Sequence, residues 1–175
     1  LMTGINVYIF SFWIFWASSI ESTEEETVKK STDFLLCRYC GFNVAPASTL
    51  VNLKSPAAEE IYNQSLFGLD NVEVQSLKNP LGIQFNIVTA RGGTCVATSK
   101  RWQVDHSWFP GHAWKSCSCS RCSRHIGWIF EPLATAHYDR VYASLNGFYA
   151  YVLENVISEA YADSLLVTPK LNSYT

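Results

Sequence analysis

The sequence predicts an all-β fold, and three observations carry that expectation. Short runs of β-branched and aromatic residues recur with Asn, Pro and Gly between them. One of these runs alternates apolar and polar residues as a half-buried strand does. The strongest chemical signal is two tight Cys-x-x-Cys turns far apart in the chain, an arrangement suited to tying separate strands together.

Taken in order, the chain opens on an apolar segment. Leu1 to Ile20 contains no charged residue, and Ile5 to Ala17 is almost wholly aromatic or branched aliphatic. A membrane-spanning helix needs about 20 apolar residues, and a secretory apolar region about 7 to 15. The small residues Ala17, Ser18 and Ser19 follow the apolar run, and a polar segment from Glu21 to Glu26 begins abruptly after them. Residues 1–20 therefore read as a signal peptide in preference to a retained anchor, although no Lys or Arg precedes the apolar run. A secreted protein, or one in the secretory pathway, is expected. Residues 21–33 read as a flexible lead, residues 34–158 as the folded domain and residues 159–175 as a C-terminal tail.

Within the domain, strands are expected at Phe34 to Leu36, Val72 to Leu77, Ile83 to Ala90 and Cys95 to Thr98. The turn material between them includes Asn79-Pro80-Leu81-Gly82 and Arg91-Gly92-Gly93. Ile83, Phe85 and Ile87 alternate with Gln84 and Asn86. Ala136 to Ser158 satisfies strand and helix periods about equally. Asn63-Gln64-Ser65 is a glycosylation acceptor, expected in a loop.

Composition bounds the function. The 175 residues carry 13 Lys plus Arg against 15 Asp plus Glu, a formal net charge of −2. Nucleic-acid binding by charge alone is excluded, because phosphate recognition requires a basic surface. With 48% hydrophobic and 16% charged residues the chain is not a disordered one either.

Cys37-Arg-Tyr-Cys40 and Cys119-Ser-Arg-Cys122 provide two pairs of thiols, each on a turn that lets both sulfurs face one point. Four thiolates in tetrahedral array at about 2.3 Å suit one structural zinc ion with no open coordination position. A disulfide framework is the other reading, since exported proteins permit one. Cys95 and Cys117 remain over, either as a disulfide or as two buried thiols.

The aromatic signal follows. In Asp105-His-Ser-Trp-Phe-Pro-Gly-His-Ala-Trp114 the Pro110-Gly111 pair marks a turn. If the loop is Pro110 to His112, Trp108 faces Trp114 across a hairpin. Trp128 and Phe130 share one side of the strand after the second Cys pair. Three indoles so assembled would wall a pocket for something flat or cationic. The plainer reading makes them core.

The block HSWFPGHAW, then C-S-R-C, then S-R-HIGW-I-F resembles the CULT domain, the family of the thalidomide-binding domain of cereblon, and is similar to its secreted single-domain members. The resemblance extends from about Phe34 to about Val156. It implies a β-tent, two antiparallel sheets pinned by a structural zinc on Cys37, Cys40, Cys119 and Cys122. It implies a ligand cage of Trp108, Trp114, Trp128 and Phe130, polar contacts from His106 and the amide of Trp108, and a rim contact from Asn79. The position after Pro80, often histidine in this family, is Leu81 here. The implied ligands are small planar rings: glutarimide-like cyclic imides, including those presented on modified protein C-termini, and uracil or uridine.

The ubiquitin-ligase docking region of cereblon has no counterpart of sufficient length among these residues, so no ligase role is expected. Two other readings stand beside the binding module. One is a structural interaction domain with packed tryptophans. The other is an enzyme like the B-type methionine-sulfoxide reductases, which share the tent and the zinc knuckles. Their catalytic cysteine lies near the C-terminus, whereas no cysteine here follows Cys122, and Arg38-Tyr39-Cys40 is part of a knuckle. Asp105, His106 and Ser107, taken as neighbours on a strand, would point to opposite faces and form no triad. No catalytic residue and no enzymatic activity are therefore expected; His112, His125 and His137 read as surface or packing residues.

Overall fold

The computed structural model describes residues 31–166, so the signal-peptide expectation for residues 1–20, most of the lead and the end of the tail lie outside the described residues. The described residues form eleven strands, one short α-helix and three 3-10 turns. The strands are β1 (Phe34–Cys37), β2 (Asn43–Pro46), β3 (Leu50–Val51), β4 (Glu60–Leu66), β5 (Leu69–Lys78) and β6 (Gln84–Ala90). They continue with β7 (Val96–Ala97), β8 (His112–Ser118), β9 (His125–Pro132), β10 (Phe148–Val152) and β11 (Val156–Ser158). The helix α1 (Glu159–Ser164) lies in the segment read as a tail; Ser158 caps it, its side chain accepting from the Tyr161 amide at 3.1 Å.

All strand pairs are antiparallel and build two sheets, as the all-β expectation requires. The small sheet has the order β11-β1-β2; the large one runs β4-β5-β6-β10-β9-β8-β7, with β3 also on β6. The central strands of the large sheet bury both faces. In β10, Tyr149 and Tyr151 enter a core shared with Leu35 and Val44 of the small sheet, while Phe148 and Ala150 join a second core with Leu77, Phe109 and Phe130. Every residue of β10 is buried, so no apolar–polar alternation exists there to be read.

The first core glues the sheets together. The second forms the floor of the aromatic cage. Gly127 fixes the approach of β9 to β10, because a Cβ there would overlap the Ala150 carbonyl.

Candidate binding cage and metal centre

The four knuckle cysteines come from both sheets. Cys37 ends β1 and Cys40 lies in the turn to β2, whereas Cys119 and Cys122 occupy the turn from β8 to β9. Each knuckle wraps its backbone around a cysteine carbonyl: Gly41 N–H donates to Cys37 O at 2.8 Å, and Ser123 N–H to Cys119 O at 2.9 Å. Both residues sit in the left-handed region, at φ +69° and +59°. Glycine meets that demand freely in the first knuckle; in the second a serine does, against the usual steric cost of a Cβ.

The four sulfurs lie within 4.8 Å of one another, with Cys37 to Cys122 and Cys40 to Cys119 both at 3.7 Å. A tetrahedron with metal–sulfur bonds of about 2.3 Å has edges of about 3.8 Å, so the sulfurs are spaced to hold a zinc ion. Burial pushes the Cys37 thiol up to about 12. At Cys122 the Arg124 backbone N–H pulls the thiol down to about 7. The remaining pair is a disulfide: Cys95 and Cys117 are bonded, with Cα atoms 5.5 Å apart. Of the two readings left open for them, the free thiols fall away.

A cavity of about 320 Å³ opens on the other face of β8 and β9. Trp108, Trp114, Trp128 and Phe130 wall it; Asn79, Pro80 and Leu81 form one rim and His106 the other. All the residues singled out from the sequence for a ligand are thus brought to one place. The route differs in one respect. Trp108 is not on a strand facing Trp114; Trp114 pairs with Phe130 across β8 and β9 and with Gln103 on its other side. Trp108 reaches the cage from the irregular segment before β8. There its indole N–H donates to Lys78 O at 3.0 Å and its carbonyl accepts from the Ser55 hydroxyl.

The indoles interlock. Trp108 meets Trp128 edge to face at 4.8 Å between ring centroids, and Trp114 donates its N–H to Asp105 O at 2.9 Å. Phe85, read from the sequence only as a strand residue, packs edge-on against Trp128 at 5.0 Å and closes that wall. Its alternation with Gln84 and Asn86, in phase with Ile87, was the signal that placed it on the buried face. His125 abuts Trp128 from outside at 4.8 Å, and burial lowers its ring pKa. His112 lies edge-on to Phe148.

Asp105, His106 and Ser107 lie in a turn instead of a strand, so the alternating-face argument does not apply to them. The Ser107 hydroxyl donates to Phe109 O at 3.1 Å, and His106 stands at φ +58°. Among the described residues the His106 carbonyl and the Trp108 amide N–H have no hydrogen-bond partner. Both belong to cavity-lining residues.

Among the buried polar side chains that escaped the sequence reading are Gln75, Lys115 and Glu131. Gln75 accepts from Ser55 N–H at 2.8 Å and donates to Leu53 O at 2.6 Å, fixing the loop that holds Trp108. Lys115 donates to Tyr138 O and Arg140 O at 3.0 and 2.8 Å and lies over the Trp102 ring, while Glu131 accepts from Thr135 and Ser144. Lys115 shares a face with Ala113 and Cys117, so the period of β8 carried that signal.

No protein-family model matches the chain. It is similar to cereblon of Danio rerio, 35% identical over 74 residues that make up 42% of this chain and 16% of that protein. Against cereblon of Gallus gallus the figures are 35% over 71 residues, 41% and 15%. Against Xenopus tropicalis cereblon they are 29% over 110 residues, 63% and 21%. The chain therefore matches less than a quarter of the length of these relatives. By its residues, by its two-sheet fold and by these comparisons, the chain resembles the CULT domain of cereblon.

Proposed function

We propose that this is a binding module, not an enzyme, which holds a small planar ring with an imide edge in the cage of Trp108, Trp114, Trp128 and Phe130. Glutarimide-like imides and uracil or uridine are the ligand class, free or presented on a protein C-terminus. The observation that carries this reading is an apolar cavity whose lining residues include a backbone acceptor, His106 O, and a backbone donor, Trp108 N–H, that no other described residue uses. An imide edge offers the reciprocal N–H and C=O. Indole walls remove the ring faces from water, and no charged side chain lines the cavity, which suits a neutral ligand. His106 and Asn79 complete the rim; Asn79 uses its side-chain oxygen on the turn amides of Leu81 and Ile83, so it shapes the rim.

The four-cysteine centre is assigned to one structural zinc, held by Cys37, Cys40, Cys119 and Cys122. When bound, the ion cross-links the two sheets at one end. The cysteines join the β1–β2 turn to the β8–β9 turn, and β8 and β9 carry three of the cage residues. We further place the protein in the secretory pathway, on the apolar run of residues 1–20 and the Cys95–Cys117 disulfide.

Titration of the protein with glutarimide and with uridine, followed by tryptophan fluorescence or chemical shifts, tests the cage. A ring of about eight heavy atoms supports affinities from micromolar to near-millimolar. Absence of any change at several millimolar of either ligand refutes the reading.

A further inference from the structure

The metal-centre end of the fold gathers cations that no carboxylate claims. Segments Phe34–Ala58 and His106–Phe130, which contain the two knuckles, hold no Asp or Glu, in a chain whose formal net charge is −2. Their Lys and Arg residues are Arg38, Lys54, Lys115, Arg121 and Arg124. The two lysines are spent elsewhere: Lys54 pairs with Glu73 at 3.4 Å, and Lys115 is buried on the carbonyls of Tyr138 and Arg140. The three arginines all belong to the knuckles. Arg38 follows Cys37, Arg121 precedes Cys122, and Arg124 lies two positions beyond it. None of them is ion-paired among the described residues. A lone unpaired arginine is ordinary on a protein surface. Three of them drawn together where four sulfurs lie within 4.8 Å of one another make a local excess of positive charge. Two are also held in place. Arg38 donates its backbone N–H to Asn155 O at 3.0 Å and a guanidinium N–H to Val156 O at 3.3 Å. The Arg124 guanidinium lies 5.2 Å over the ring of Tyr39, so a cation of the second knuckle rests on an aromatic residue of the first. Tyr39 is 54% exposed, and its hydroxyl donates to Asn155 Oδ1 at 3.2 Å, which anchors the ring.

Resting on the zinc assignment, we propose that Arg38, Arg121 and Arg124 are the counter-charge of the metal centre, and that Tyr39 is the plate that positions Arg124. A zinc ion held by four thiolates carries two net negative charges, and Cys40 and Cys122 leave the centre partly open to water. The arginines offset the repulsion among the thiolates, so they raise the affinity for the ion without ligating it. A single charge beside a partly solvated centre is worth about 2- to 5-fold in affinity at low salt, and the three together about 10- to 100-fold.

The test measures zinc affinity of the full chain by anaerobic competition with a chromophoric chelator, at about 0.05 M and about 1 M salt. Circular dichroism of each zinc-loaded variant separates lost affinity from lost fold. Arg121→Gln and Arg124→Gln should each weaken zinc by about 2- to 5-fold at the lower salt, and the deficit should shrink toward none at the higher, where screening acts within about 3 Å. Arg124→Lys keeps the charge and should keep most of the affinity. Tyr39→Leu should weaken zinc in the wild-type background and have no effect in Arg124→Gln. Lys100→Gln, which changes the net charge outside the knuckles, should leave the affinity unchanged. Wild-type affinity in both arginine-to-glutamine variants overturns the proposal. So does a deficit that is undiminished at high salt or equal in Arg124→Lys, because the arginine would then act through loop shape. An equal loss in Lys100→Gln reduces the effect to net charge and overturns it as well. A Tyr39→Leu deficit that persists in Arg124→Gln removes the plate. A wild-type chain that binds no zinc overturns the zinc assignment itself and the counter-charge with it.

Discussion

The indole of Trp108 meets that of Trp128 edge to face, with ring centroids 4.8 Å apart and planes at 73°. The two residues are not equivalent. Trp108 is buried, with its indole N–H on Lys78 O and its carbonyl on Ser55, whereas Trp128 is half-buried and the Ala150 strand behind it sets its position.

The first prediction separates them. Trp108→Ala should cost about 3 to 5 kcal/mol of stability, because it opens a cavity in the second core and removes the indole N–H that donates to Lys78 O. Trp128→Ala should abolish ring binding at a smaller stability cost, with zinc content unchanged. Thermal melts, metal analysis and a glutarimide titration read the three quantities. Equal destabilisation by the two variants would show that Trp128 is core and not wall.

The second prediction concerns the six cysteines. Intact mass should show one disulfide, peptide mapping should place it at Cys95–Cys117, and metal analysis should return one zinc per chain. Cys122→Ser should strongly destabilise the fold, since structural zinc in such centres contributes roughly 10 to 16 kcal/mol of apparent binding energy. Three disulfides with no metal would reverse the assignment. The sulfur spacing of 3.7 Å argues the other way, being close to a thiolate tetrahedron and far too long for an S–S bond.

What could be read from the sequence depended on whether one face of an element met water. Strand β6 was legible because Gln84 and Asn86 alternate with Phe85 and Ile87. Strand β10 was not, because both its faces are buried and Phe148-Tyr-Ala-Tyr-Val152 fits either period. Strand β4 escaped for the opposite reason: it is exposed along nearly its whole length, and only hydrogen bonding to β5 makes it a strand. The cage residues were legible as a motif, but the pairing of Trp114 with Phe130, and not with Trp108, rests on strand order, which spacing does not encode. Gln75, Lys115 and Glu131 were missed because a polar residue in a strand ordinarily marks the wet face. Here each is held inside by carbonyls, amides or hydroxyls of an irregular loop.

The third prediction tests the secretory route. Asn63 was expected in a loop; it lies on edge strand β4, exposed, with Ser65 two residues on. Expression of the chain in a eukaryotic secretory host should give protein in the medium that begins between Ser19 and Ser22 and carries one glycan at Asn63, removed by glycosidase and lost in Asn63→Gln. A glycan there would also cap an open sheet edge, which otherwise invites pairing with another chain. Retention in the cytosol with residues 1–20 still attached would count against the route.

The last prediction concerns acid stability and Glu131. Its carboxylate is wholly buried, and although burial alone raises its pKa, the Ser144 amide at 2.9 Å, the Thr135 hydroxyl at 2.7 Å and the Arg140 guanidinium at 3.7 Å hold it below the usual carboxylate value. A carboxylate with a depressed folded pKa stabilises the fold above its unfolded value, about 4.5, and that stabilisation disappears as pH falls through the folded value. Glu131→Gln should therefore cost about 1 to 3 kcal/mol near neutral pH, since the amide leaves at least one of these donors unmatched. The gap between variant and wild type should stay constant down to about pH 5 and narrow below about 4.5. Protonation of the knuckle thiols in acid would release a bound zinc ion from both proteins alike, which would move both curves and leave their difference to report Glu131. Denaturant midpoints measured from pH 7 to pH 3 check this. A gap that persists undiminished at pH 3 would mean that the residue acts through shape and hydrogen bonding alone, with no contribution from its charge.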